Sequence, residues 1–159
     1  VAALRDAAPL PDYLVVEADT AGQTFPLPDD LLYEAYFQHV QRVGQSLGCE
    51  FLQAWVGFEA GLRNAVAEAR ARSLDLDPAN YRVAVDLADD IDDFSSLINE
   101  WNAAATPLDA LEVLDQGRWV WLTSHDAWFS FAADEVAAYA AKLVLVHRWD
   151  HLRRSQKEQ

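Results

Sequence analysis

At 159 residues, 52% of them apolar and including six Trp, seven Phe and five Tyr, the chain is about one domain long and can bury a single core, which excludes general disorder. A formal net charge of −14, from 12 Lys and Arg against 26 Asp and Glu, excludes nucleic-acid or anionic-lipid binding over most of the surface and favours protein or cationic partners. The single cysteine, Cys49, excludes an internal disulfide and fits a reducing, cytoplasmic setting, and no apolar run reaches the roughly 18 residues that direct membrane insertion needs.

In chain order, residues 1–28 carry Pro9, Pro11, Pro26 and Pro28 around "DYLVVEAD", which predicts a short extended element at Tyr13 to Glu17 within irregular chain. With Val1 first and no methionine, this segment is expected to be the edge of a larger fold, and residues 29–159 a helical bundle domain. "PDDLLYEAYFQHVQRVG" has helical spacing, with Leu32, Tyr36, His39, Val40 and Val43 as its apolar face, Asp29 or Asp30 as N-cap and Gly48 as C-cap. A second helix is expected from about Glu50 to Leu74. "DLDPANY" restarts the chain, with Asp77 as cap and Pro78 at the first helical position. A further helix is expected over about Asp92 to Ala104. Thr106 and Pro107 open the next, which Gly117 is expected to interrupt before "WVWLTSHDAWF", readable as helix or strand. The last helix spans about Ala133 to Arg153. The fold class is mainly α: an antiparallel helical bundle with a short extended N-terminal element.

On a helical wheel, Phe51, Trp55, Phe58, Leu62, Ala65, Val66 and Ala69 form one wide apolar stripe of the second helix. Glu59 and Arg63 flank it, four apart with the acid first, the favourable order for a helical ion pair. Gly57 and Gly61 lie on another side. Each disfavours a helix interior by about 1 kcal/mol relative to Ala, so their placement suggests the close approach of a second helix. In the last helix, Val136, Tyr139, Ala140, Leu143 and His147 form one stripe, while Val144, Leu145, Arg148, Trp149 and Leu152 leave little of the remainder polar. Both helices require a neighbour on more than one side.

"DLADDIDDF" gathers Asp86, Asp89, Asp90, Asp92 and Asp93, and its "DDIDD" core matches the DDxxD pattern by which some helical enzymes bind magnesium and diphosphate. It lacks a second acidic motif and the basic residues a diphosphate needs, so a solvated turn at a helix N-terminus is the simpler expectation, with Asp89, Asp90 and Asp93 the alternative metal site. His147 and His151 share a helix face at zinc-compatible spacing without the glutamate of HExxH, and a core histidine at 147 is the plainer reading. Ser124, His125 and Asp126 are adjacent, whereas catalytic triads converge from separate elements. Cys49 has no evident activating neighbour. No phosphate loop or dinucleotide fingerprint is present, so neither catalytic residues nor a cofactor are expected.

The segments "FLQAWVGFEAGLRNAVAEARARSLDLDPANY" and "FAADEVAAYAAKLVLVHRWDHL" resemble the helical pattern of the C-type subunits of V-type and archaeal-type ATP synthases. They more closely resemble an uncharacterised bacterial family encoded with V-type ATP synthases. The resemblance is carried by Trp55, Phe58, Glu59, Leu62, Arg63 and Asn64, by the restart at Asp77, Pro78 and Tyr81, and by Arg148 and Trp149. It implies an all-helical, non-catalytic accessory component whose partners are the other subunits of a rotary ATPase, cytoplasmic and peripheral to the membrane through that complex. It also implies that Glu59, Arg63 and Arg148 are polar contacts fixing helix register, with Glu59 expected to pair with Arg63 or Arg148. The remaining readings are a metal-dependent enzyme acting on a phosphorylated substrate through the Asp89–Asp93 cluster, and an acidic decoy for basic proteins.

Overall fold

A computed structural model describes residues 25–88, 93–126, 129 and 131–157, with side chains as far as residue 154. The expected strand at 13–17 lies outside the described residues. Helix α1 spans Pro28–Leu47, α2 Glu50–Ser73, α3 Ser95–Ala103, α4 Pro107–Ser124 and α5 Ala133–Lys157, with a 3-10 turn at Pro78–Tyr81. The protein is mainly α, a helical bundle, and the described residues contain no strand. The chain divides into two compact units, residues 1–43 with 55–92 and residues 44–54 with 93–159.

Local chemistry accounts for the helix ends. Gly48 has φ +62°, and the N–H groups of Gly48 and Cys49 donate to the carbonyls of Gln45 and Gly44, the paired bonds of a Schellman stop. Thr106 accepts from the Asp109 N–H and is followed by Pro107, as expected. Asp77 caps through the Ala79 N–H, but only a single 3-10 turn follows. Asp29 and Asp30 are not caps, because α1 already begins at Pro28 and Asp30 lies inside its first turn. Gly117 does not interrupt α4. A Cβ there would meet Leu97 Cδ2 at 2.6 Å, so the glycine lets α3 lie close against α4.

In the first unit the core is Phe37, Val56, Ala60, Val83 and Ala84, with Phe25, Val40, Leu87 and Ala88 packed around it. Helix α2 has no exposed residue between Trp55 and Ala69; Gly57 is buried and Gly61 half-buried. The face of α1 is rotated from the expected one: Leu32 and Tyr36 are exposed, and Asp30, Phe37 and Gly44, seven residues apart, are buried. The second unit packs Phe51 against Trp121, ring centroids 5.8 Å apart, with Leu122, Ala138 and Leu145 buried. The stripe of α5 on which a core histidine is expected at 147 faces outward. Val136, Tyr139, Ala140, Leu143 and His147 are exposed, whereas Ala138 and Leu145 are buried. The α5 sequence is apolar on both sides, so hydrophobic periodicity cannot choose between them. The inward side is the one on which Lys142 reaches Asp126 and Arg148 reaches Asp115.

Candidate functional sites: two arginine–aspartate nodes and two exposed helix faces

The first node is built on Arg63 and Asn64 of α2. The Arg63 guanidinium donates to the Asp30 carboxylate of α1, to the Tyr81 carbonyl at 2.6 Å and to Asn64 Oδ1 at 3.3 Å, and it lies 5.2 Å from the centre of the Tyr33 ring. Asn64, 4% exposed, donates through Nδ2 to the Val83 carbonyl at 2.8 Å and accepts from the Val83 N–H at 3.0 Å. One buried amide thereby satisfies both backbone groups of a residue that is neither helix nor strand, the pairing a neighbouring strand would otherwise supply. The next residue, Ala84, is held at φ +45° with its N–H donating to Glu34, and Gln38 joins Glu34 at 3.1 Å to Asp86 at 3.1 Å. Asp30 is 2% exposed, and burial raises its pKa in spite of the neighbouring guanidinium.

The second node is Asp115 of α4, also 2% exposed. Its Oδ1 accepts from Arg118, one turn along the same helix at 3.0 Å, and from Arg148 of α5. Its Oδ2 and the Arg148 Nε have no hydrogen-bond partner among the described residues. Beside the node, a groove of about 470 Å³ runs between α4 and α5, walled by Trp119, Leu145, Val146 and Trp149 and edged by Asp150 and Arg153.

The carboxylates on Arg63 and Arg148 are thus Asp30 and Asp115, not the expected Glu59, which is half-buried on α2. Asp93 stands just before Phe94, the N-cap of α3, and accepts from the Ser95 N–H at 2.9 Å; hydrogen bonding from the Ser95 side chain and then its backbone lowers the Asp93 pKa. Asp89 and Asp90 lie outside the described residues. His147 is exposed and is not a core histidine; His151 is exposed too. Among the described residues no three or more His, Cys, Asp or Glu side chains converge as metal ligands. Ser124 Oγ donates to the Trp121 carbonyl at 2.8 Å and lies 3.0 Å from His125 Nδ1, which is itself 3.0 Å from that same carbonyl; Asp126 pairs with Lys142 instead of the His125 ring, so the three do not form a triad. Cys49 is 1% exposed and burial raises its pKa, which keeps it a protonated, weakly nucleophilic thiol. Close by in the chain, the Phe51 N–H donates at 2.7 Å to Asp134, whose pKa this bond lowers.

Sequence reasoning missed Glu34 and Asp115, and for Asp30 and Asn64 it missed the partners. Asn64 gave a usable signal: a mid-helix amide beside an apolar stripe must find a partner other than its own helix backbone. Asp115 gave another, standing one turn before Arg118 on the same helix.

Among the described residues, large exposed apolar side chains gather most densely on α1 and α5. On α1, Leu32, Tyr33 and Tyr36 follow Leu27, each 37 to 50% exposed. On α5, Val136, Tyr139, Leu143, Val144 and Val146 are each more than half exposed, and the segment leading into the helix presents Phe129 and Phe131 at 79% and 90%. Both phenylalanines have positive φ, and both of their N–H groups donate to the Glu135 carboxylate, at 3.1 and 2.8 Å. No helix among the described residues is long and apolar enough to cross a membrane.

No curated protein and no solved structure matches the chain. Residues 10–159 match the family model described as Protein of unknown function (DUF2764), and the chain belongs to that family.

Proposed function

We propose that the protein is a non-catalytic accessory component of a V-type ATP synthase, similar in its helical pattern to the C-type subunits of those enzymes and acting through protein contacts at the membrane periphery. The observation that carries the reading is the exposed aliphatic and aromatic edge of α1, Leu32, Tyr33 and Tyr36, set on a helix whose polar side chains Asp30, Glu34 and Gln38 are turned to internal clamps. Such an edge suits a protein partner better than a small substrate. The link to the rotary ATPase rests on the resemblance of the α2 and α5 segments. Affinity purification of the tagged protein from native extract is expected to recover ATP synthase subunits, and Tyr36→Glu is expected to lose them. Recovery of none by the unaltered protein contradicts the reading. A thermal shift with magnesium, manganese or zinc that disappears in the Asp89→Asn/Asp93→Asn double variant favours instead a metal-dependent enzyme on a phosphorylated substrate.

A further inference from the structure

The outward face of α5 has the pattern of a helix seam. Val136, Tyr139, Leu143 and Val146 alternate at spacings of three and four, and all are 51 to 69% exposed. They are symmetric about residue 141: Val136 and Val146 lie five positions to either side, Tyr139 and Leu143 two. Two antiparallel copies of such a helix, centred on residue 141, place Val136 of each against Val146 of the other and Tyr139 against Leu143. The small, exposed Ala140 beside that seam leaves room for the axes to approach closely.

The ends of the face complement each other. Before α5 stands Phe131, and after its midpoint comes the groove walled by Trp119 and Trp149. The same register brings the segment carrying Phe131 beside the turn 149–153 of the other copy, where the groove of about 470 Å³ opens. It also sets the two helix dipoles antiparallel.

Size points the same way. At the ~150–250 Å² usual for an aromatic side chain, Phe129, Phe131 and Tyr139 alone leave on the order of 400 Å² accessible. With Val136, Leu143, Val144 and Val146 the strip approaches the ~800 Å² per partner of a standard interface. It exceeds the ~300–600 Å² of the largest apolar patch on an ordinary monomer. We infer that the outward face of α5 is covered by a second copy of this chain, the two helices antiparallel about residue 141 and the phenylalanine segment of each copy seated at the α4–α5 groove of the other. This inference does not use the rotary-ATPase reading, whose partner surface is the edge of α1.

Sedimentation equilibrium of the full chain at micromolar concentration is expected to give twice the monomer mass. Leu143→Glu is expected to weaken association by ~100-fold or more, with helicity by circular dichroism unchanged because the site is exposed. Register is tested by mixing Val136→Cys and Val146→Cys proteins under oxidation: the mixture is expected to form a covalent dimer and either variant alone to form none. This arm stands even if Leu143→Glu does not fold. A monomer whose two cysteines react freely with maleimide leaves the face to a different protein, and a monomer whose cysteines are protected assigns it to another segment of this chain. Either result overturns the inference, as does a dimer that survives Leu143→Glu or one in which each cysteine variant cross-links to itself.

Discussion

The two arginine–aspartate nodes solve the same problem with different security. In the first unit, Arg63 is enclosed: Asp30, the Tyr81 carbonyl and the Tyr33 ring surround it, and its side chain is 17% exposed. In the second unit, Asp115 draws on two cations, and one of them, Arg148, remains 41% exposed beside an open groove. A buried charge with one partner depends wholly on that partner, whereas a charge with two can lose one. Redundancy, not burial of the acid, therefore separates the nodes, since both aspartates are 2% exposed.

The sharpest break of this comparison is to remove one arginine from each node. Arg63→Met leaves Asp30 buried without a cation and is expected to destabilise by about 3–5 kcal/mol. Arg148→Met leaves Arg118 in place and is expected to destabilise by about 1 kcal/mol, read as a smaller shift of the urea midpoint at unchanged slope. Next in size is Asn64→Ala, which strands both backbone groups of the fully buried Val83 and is expected to destabilise by about 2–3 kcal/mol.

A subtler contrast lies in pH. Burial raises the Asp30 pKa, so the stability tied to its protonation is full below the ordinary aspartate value and is lost as pH rises through the raised folded value. Asp134 is the reverse: the Phe51 N–H lowers its pKa, so its contribution is full above the ordinary value and is lost as pH falls through the lowered one. Thermal melts across the acid range are expected to show Asp134→Asn flattening the acid-side loss and Asp30→Asn steepening it. The smallest effect is a backbone one that touches neither node: Gly48→Ala, at φ +62°, is expected to destabilise by about 1 kcal/mol.

The helices were legible because local chemistry wrote them. Proline at the first turn after Thr106, glycine at 48 and the apolar stripe of α2 each act within a few residues of the chain. The nodes were not, because Asp30 with Arg63 and Asp115 with Arg148 are partners far apart in sequence, and nothing local distinguishes Asp30 from a cap or Glu59 from a closer partner for Arg63. Periodicity does not settle the facing of α5 for a related reason. Both its sides are apolar, so the choice fell to Lys142 and Arg148, whose partners stand on other parts of the second unit. Gly117 was read as a helix breaker, since its neighbour Leu97 enters only through the packing of α3 on α4.

Buried carboxylates with an architectural role hold the helices in place, and a double-mutant cycle on Asp30→Asn and Arg63→Met tests that role most directly. With Asp30 and Arg63 architectural, Arg63→Met is expected to be less stable than the parent in urea, and that loss to shrink by at least ~1 kcal/mol when Asp30 is already Asn. An Arg63→Met loss that is the same in both backgrounds would contradict that role.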